Sequence, residues 1–160
     1  MNELESRVQF LETEVRTLRA VQDIRRVLSL YAIGVDDKRA EVLAPLFSQD
    51  AVISVPAWSI EVTGSVEIMA FFERYWSRFD NARRYYANED IQVDGSTASA
   101  FMYWQVTQDL GRESVLGWGT YDWVFTREDD AWLIKHETVH IRAMTTLAAG
   151  WAGQDGPMQL

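Results

Sequence analysis

The chain has 160 residues, 48% of them hydrophobic and 24% charged, with a formal net charge of -9, a composition that predicts one soluble globular domain. The negative charge disfavours nucleic acid and anionic membranes as partners, because both are bound through Lys and Arg. The absence of cysteine excludes disulfides and Cys-ligated metals, and no apolar segment is long enough for a membrane span or a signal peptide, so we expect a cytoplasmic protein.

The first apolar pattern is a seam with alternating spacings of four and three residues, typical of a coiled coil. Its members are Leu4, Val8, Leu11, Val15 and Leu18. Two interpretations stay open, since such a helix could lie on its own domain or pack against a second subunit.

A second helix is predicted over Val21 to Asp37, where a buried stripe includes Ile24 and Tyr31. Gly34 and the two aspartates after it predict its end. Asp36 is thus an acid at the exit of an apolar helix, where a carboxylate facing a water-poor pocket could act as a general base. A short helix over residues 39–47 follows, and then the first β-branched run, residues 51–55.

Residues 59–63 alternate polar and apolar side chains, as the second strand of a hairpin would. A third helix is predicted over residues 65–79, with a broad apolar face on one side. Such a face is usually core, yet three of its members are also candidates for ligand contact: Met69, Phe72 and Trp76.

From residue 84 onwards the pattern predicts four long strands joined by short loops, at about residues 84–93, 97–109, 114–126 and 132–144. Helices followed by an antiparallel, strongly curved sheet make an α+β roll. The Gly- and Ala-rich residues 147–160 are predicted to be a flexible tail.

Taken in order, these features resemble one known family. Tyr31 and Asp36 precede the short helix and first strand, and Gly119-Thr120-Tyr121-Asp122 precedes a basic residue, an acidic turn and Trp132-Leu133-Ile134. The set resembles the SnoaL-like branch of the nuclear transport factor 2 superfamily, which includes scytalone dehydratase and bile acid 7α-dehydratase. The resemblance implies a cone of three N-terminal helices on a curved, mostly antiparallel sheet, spanning residues 18–146. Since the seam precedes it, we favour residues 1–17 as a contact within a homo-oligomer, a dimer or trimer.

The resemblance also implies roles for individual residues. Tyr31 and Asp36 fall on pocket-facing positions, as hydrogen-bond donor and proton acceptor. In catalytic relatives a His on the first long strand completes a dyad with the Asp, but Arg84 stands at that position here. Arginine stays protonated and cannot shuttle a proton, so Arg84 would either pair with Asp36 or bind an anionic oxygen of the substrate.

His136 is the second candidate for a titrating residue. Simple alternation along the last strand puts His136 on the same face as Trp132 and Ile134, so the imidazole could point into the cone. The alternative is a histidine at a sheet surface or subunit contact. With only two histidines and no Gly-rich phosphate loop, we expect no metal and no cofactor.

The remaining candidates for substrate binding are aromatic residues that could line one cavity: Trp58, Tyr86, Tyr103 and Trp118. We expect a cofactor-independent lyase or isomerase of secondary metabolism, a dehydratase or polyketide cyclase, acting on a hydrophobic polycyclic, polyketide-, terpenoid- or steroid-like molecule. Two alternatives stay open: an epoxide-opening hydrolase or cyclase, and a non-catalytic binding or assembly module.

Overall fold

One continuous helix, α1 (Glu3–Asp36), opens the chain in the computed structural model, which describes residues 2–152. A capping box starts α1, because Asn2 and Glu5 each accept the other's backbone N–H at 2.8 Å. The two predicted segments on either side of residue 20 are therefore a single helix. Gly34 lies inside α1 and does not end it. A Cβ at Gly34 would come within 2.9 Å of the Leu43 Cβ, so this glycine allows the following segment to pack closely.

The two halves of α1 differ in burial. Residues 2–19 are exposed, whereas one face of the helix is buried from Ala20 onwards, including Ile24, Leu28 and Tyr31. The apolar seam at the start of α1 does not lie on its own domain. Although α1 has 34 residues, neither it nor any other helix within residues 2–152 is apolar enough to cross a membrane.

Two shorter helices follow. α2 (Ala40–Leu43) passes directly into a 3-10 turn at Ala44–Leu46. The predicted helix over residues 39–47 is shortened, because Pro45 has no N–H to continue the α-helical hydrogen bonds. α3 (Ser65–Arg78) buries Ile68, Phe71, Phe72 and Tyr75 in the core.

A curved, open sheet of six strands packs against these helices. Its strands are β1 (Phe47–Val55), β2 (Ile60–Thr63), β3 (Asp80–Asp94), β4 (Thr97–Leu110), β5 (Glu113–Glu128) and β6 (Ala131–Thr146). Their order is β2-β1-β6-β5-β4-β3, with β1 and β6 parallel and all other neighbours antiparallel. The predicted α+β roll is confirmed. Of the predicted tail, residues 153–160 lie outside the described residues.

β6 contains two irregularities that decide which side chains face the helices. Val124 pairs with His136 and Phe125 with Ile134, which leaves Lys135 without a partner position on β5. This extra residue is a β-bulge, and a bulge shifts the alternation of side chains by one position. Ile134 therefore faces the core before the bulge and Glu137 faces it afterwards. A second register shift occurs between Trp118 and Gly119.

Gly119 provides a test of this second irregularity. A Cβ at Gly119 would lie 1.8 Å from the His140 carbonyl oxygen, a backbone atom that cannot move independently of the strand. We expect Gly119→Ala to lower the free energy of unfolding by about 3 kcal/mol or more, measured by urea denaturation.

Gly117→Ala is the matched control on the same strand. There the nearest atom is the Met144 Cε at 3.0 Å, the end of a flexible side chain that can rotate away. We expect a loss of about 1 kcal/mol. Equal losses at the two glycines would contradict the close backbone approach at Gly119.

Candidate active site

A cavity lies between α1, α3 and the concave face of the sheet. Its walls are mainly aromatic and aliphatic, with Trp58, Phe71, Phe72 and Trp104 among them. The cavity has an empty volume of about 480 Å³, which includes its open mouth. The volume that the centre of a water molecule can occupy is smaller, about 50 Å³.

Glu137 is the carboxylate on the cavity wall. The bulge at Lys135 directs it inwards, between Ile53 on β1 and Trp123 on β5, and its side chain is fully buried. The Tyr31 hydroxyl donates to Glu137 Oε1 at 2.6 Å. Oε2 is buried and has no hydrogen-bond partner within the protein.

The environment of Glu137 favours its protonated form. Burial raises the pKa of this carboxyl to about 8, although the Tyr31 hydrogen bond and the positive charge of Arg84 act in the opposite direction. At neutral pH most Glu137 side chains therefore carry a proton. A minor fraction is ionised and can act as a base.

A buried ion pair lies beside Glu137 and Tyr31. Asp36 Oδ2 accepts the Arg84 backbone N–H at 2.8 Å, and Asp36 Oδ1 accepts the Arg84 Nε–H at 2.6 Å. The two side chains are only 8% and 7% exposed. Arg84 lines the cavity, whereas Asp36 does not. The guanidinium also lies 5.8 Å from the centre of the Tyr31 ring, within the range of a cation–π contact.

Three further tyrosines lie near these groups: Tyr75 and Tyr121 on the cavity wall, and Tyr86 behind it. The Tyr75 hydroxyl donates to Gln108 Oε1, and the Tyr86 hydroxyl is buried without a protein partner. The Tyr86 and Tyr121 rings meet edge to face at 5.9 Å. Burial raises the pKa of all three hydroxyls, so they remain protonated and can donate hydrogen bonds at neutral pH.

Four of the residues predicted from the sequence line the cavity: Tyr31, Trp58, Phe72 and Arg84. Three other predicted residues pack against the core but do not line the cavity: Met69, Trp76 and Tyr86. The Trp76 Nε1–H donates to the Val35 carbonyl at 2.8 Å.

Tyr103 and Trp118 lie on the convex face of the sheet. Tyr103 is 49% exposed, while its neighbour Trp104 faces the cavity. Trp118 contacts Trp151 edge to face at 5.4 Å, so this part of the tail packs on the outside of the sheet. Alternation along β4 was predictable, but not which of its two sets of residues is concave.

Of the two positions left open for His136, the structure shows the one at the sheet surface. Because the bulge at Lys135 shifts the alternation, His136 lies opposite Val52 and the exposed Val124 on the convex face. His140 is on the same side, with its Nε2 2.8 Å from Asp122 Oδ2. Among residues 2–152, no three His, Asp or Glu side chains converge as ligands for a metal would.

Glu137 was not predicted as a site residue. Tyr75 and Tyr121 also line the cavity without having been predicted there. Tyr121 had a signal, since it is the tyrosine of the Gly-Thr-Tyr-Asp motif. Glu137 had none, because its inward direction depends on a bulge whose position the local sequence does not show.

The amino-acid sequence matches the model of one known protein family. Residues 16–138 match the model of the SnoaL-like domain. The chain belongs to the SnoaL-like family. No functionally curated protein matches it in sequence.

Solved structures give the same fold. A type 2 hexachlorocyclohexane dehydrochlorinase (LinA) superposes with a TM-score of 0.77 at 19% identity, covering 87% of this chain and 96% of that one. A scytalone dehydratase-like protein from Novosphingobium aromaticivorans gives 0.75 at 20% identity, covering 89% and 97%. At these identities the likeness establishes the architecture of this SnoaL-like protein, and the site has to be interpreted from its own residues.

The raised pKa of Glu137 predicts how the free energy of unfolding depends on pH. The folded protein keeps a proton on Glu137 up to about pH 8, whereas the unfolded chain releases it near the ordinary value of 4.5. Between these values the folded state binds more protons, so Glu137 makes the free energy of unfolding fall as the pH rises. Between about pH 5 and about pH 8, we expect the free energy of unfolding of the wild type to fall by a few kcal/mol relative to that of Glu137→Gln. Urea denaturation at several pH values measures this difference. Parallel profiles would contradict the buried acid.

The buried ion pair of Asp36 and Arg84 predicts a large loss of stability when its carboxylate is removed. Asp36→Asn leaves the buried guanidinium without a counter-charge, and we expect it to destabilise the fold by about 3 kcal/mol or more.

The matched control is the neighbouring pair, Asp37 and Arg83, whose side chains are 47% and 54% exposed at 3.2 Å. Asp37→Asn should cost less than about 1 kcal/mol, because solvent screens this pair. Thermal or urea unfolding of both variants measures the difference, and similar losses would show that the Asp36 pair is not shielded from water.

Proposed function

We propose that this SnoaL-like protein is a cofactor-independent lyase or isomerase, of the dehydratase or cyclase type, that moves protons on a hydrophobic small molecule. One observation carries the proposal: a carboxyl with a pKa of about 8, hydrogen-bonded to Tyr31, on the wall of an aromatic cavity. A group that titrates near neutral pH is populated in both forms and can both accept and donate a proton.

The lining of the cavity favours a largely apolar substrate that carries one or two oxygen atoms. Its walls offer aromatic surface for a ring system of the polyketide, terpenoid or steroid kind, and Arg84 adds one positive charge. Structural neighbours named as a dehydrochlorinase and as a scytalone dehydratase-like protein support an elimination as the reaction type.

The residues suggest a balanced sequence of steps for loss of water. The Glu137 carboxylate accepts a proton from the carbon next to a substrate carbonyl, and the electrons move to the carbonyl oxygen. Arg84 stabilises the resulting negative oxygen through its charge. Glu137 then gives the proton to the departing hydroxyl group, water leaves as the double bond forms, and the carboxylate is restored. Tyr31 holds Glu137 in place throughout.

Asp36 has a supporting role in this proposal. Both of its oxygens accept hydrogen bonds from Arg84 and it does not line the cavity, so it orients Arg84 and is not the proton acceptor. His136 takes no part, because it lies on the convex face.

An epoxide-opening hydrolase or cyclase is the second candidate. The observation that favours it is the protonated state of Glu137 at neutral pH, since a buried carboxylic acid can donate its proton to an epoxide oxygen as the ring opens. Water or a hydroxyl group of the substrate would attack the carbon, and the Glu137 carboxylate would take up the proton that this nucleophile loses, which restores the acid.

The pH dependence of turnover separates the two candidates. Elimination needs the Glu137 carboxylate, so kcat/KM should rise with pH through about 8, whereas epoxide opening needs the acid form and kcat/KM should fall through the same range. The measurement is mass spectrometry of β-hydroxy ketones, polycyclic enones and epoxides incubated with the protein in isotopically heavy water. We expect Glu137→Gln to lower turnover by about 100-fold or more.

Glu61→Gln, at an exposed position on β2, is the matched control and should leave turnover unchanged. Full turnover by Glu137→Gln would contradict the mechanism. Binding of these compounds without conversion of any of them would support a non-catalytic binding module instead.

A further inference from the structure

The apolar seam of α1 is exposed along its whole length. Its five side chains, Leu4, Val8, Leu11, Val15 and Leu18, are between 44 and 71% exposed. They alternate with spacings of four and three residues, which places leucine at the d positions and valine at the a positions of a heptad repeat. Exposed apolar residues in a continuous row mark a surface that contacts another molecule.

The seam faces away from the domain that carries it. Thr13, Arg16, Thr17 and Ala20, which occupy the b, c and f positions of the same repeat, face the end of the sheet near Trp132. The buried face of α1 continues from Ala20 on this same side. A partner helix can therefore approach the seam without colliding with the fold.

We propose that the seam binds the seam of a second copy of this chain, as a parallel, in-register, two-stranded coiled coil. β-Branched valine at a with leucine at d is the combination that favours two parallel strands. In this register all five layers are filled, each residue meeting its own equivalent. In an antiparallel pair Val8 faces Leu11 or Leu18, and one leucine of each chain has no apolar partner.

The charged residues beside the seam fit the same arrangement. In a parallel coiled coil a g residue lies next to the e residue five positions later on the other chain. Here Arg7 meets Glu12, and Glu14 meets Arg19. Both contacts join opposite charges, and the twofold symmetry of the dimer makes each of them twice.

The short length of the seam is offset by the rest of α1. An isolated helix of this size is marginal in water because its first turn is costly to form. The exposed half of α1 continues directly from a half that is anchored in the core, and Asn2 caps its start. The seam is therefore already helical before the second copy arrives.

The molar mass in solution tests the dimer, measured by light scattering on the full chain. The wild type should have twice the 18.4 kDa mass of one chain, and Leu11→Glu should reduce the mass to one chain. Phe10→Glu is the matched control, since Phe10 is 64% exposed, close to the 57% of Leu11, but lies outside the seam. This variant should remain a dimer. A single cooperative unfolding transition, at a temperature no higher than that of the wild type, shows that Leu11→Glu is folded. A wild-type monomer, or a dimer that Leu11→Glu leaves intact, would overturn the proposal.

Cross-linking tests the orientation. The chain contains no cysteine, so Val8→Cys introduces a single thiol per chain. In a parallel, in-register pair the two thiols meet across the seam, and oxidation should give a disulfide-linked dimer on a non-reducing gel. Phe10→Cys should give much less. A dimer in which Val8→Cys does not cross-link would overturn the parallel register.

Discussion

The two hydrogen bonds from Arg84 to Asp36 join the end of α1 to the first long strand, and the geometry of the cavity depends on this junction. One of them comes from the backbone and the other from the guanidinium, so both the path of β3 and the direction of the Arg84 side chain are fixed. Tyr31 lies more than one turn earlier on the same helix, where it reaches Glu137 on β6. Three separate elements thereby place one acid, one phenol and one cation around a common space.

Such a junction has a large electrostatic cost, because two charges leave water together. The cost is offset only when the hydrogen-bonding geometry is good, and here each carboxylate oxygen has its own donor. The adjacent Asp37 and Arg83 form their contact in solvent, where little depends on it. Two neighbouring ion pairs of the same residue types thus differ in both burial and hydrogen bonding.

Much of the fold followed from local patterns. The buried stripe of Ile24 and Tyr31 predicted the second half of α1, and the broad apolar face predicted α3. Each of these patterns, like the spacing of the strands, arises because a single helix or strand packs on the core, and the period of its apolar residues shows this directly. The order of Tyr31, Asp36 and the closing hairpin then identified the family. Of the two roles open to Arg84, pairing with Asp36 is what the structure shows, and binding of an anionic oxygen remains a proposal.

The site was less predictable, because it depends on relations between strands. Strict alternation along β6 places His136 inside and Glu137 outside, and one extra residue, Lys135, reverses this. The position of that residue follows from pairing with β5, not from its own neighbours in sequence. Alternation along β4 likewise left open whether Tyr103 or Trp104 is concave, since both are aromatic.

Four buried polar atoms among the described residues have no partner in the protein: Tyr86 Oη, Gln108 Nε2, Trp123 Nε1 and Glu137 Oε2. Each such atom lowers the stability of the fold, because it has left water without gaining a hydrogen-bond partner. Thermal robustness and the capacity to recognise a polar ligand therefore compete within this cavity. Selection for stability alone would favour apolar side chains in place of Glu137 and Gln108 together with their partners Tyr31 and Tyr75. The result would be a more stable SnoaL-like fold without the polar groups of its interior.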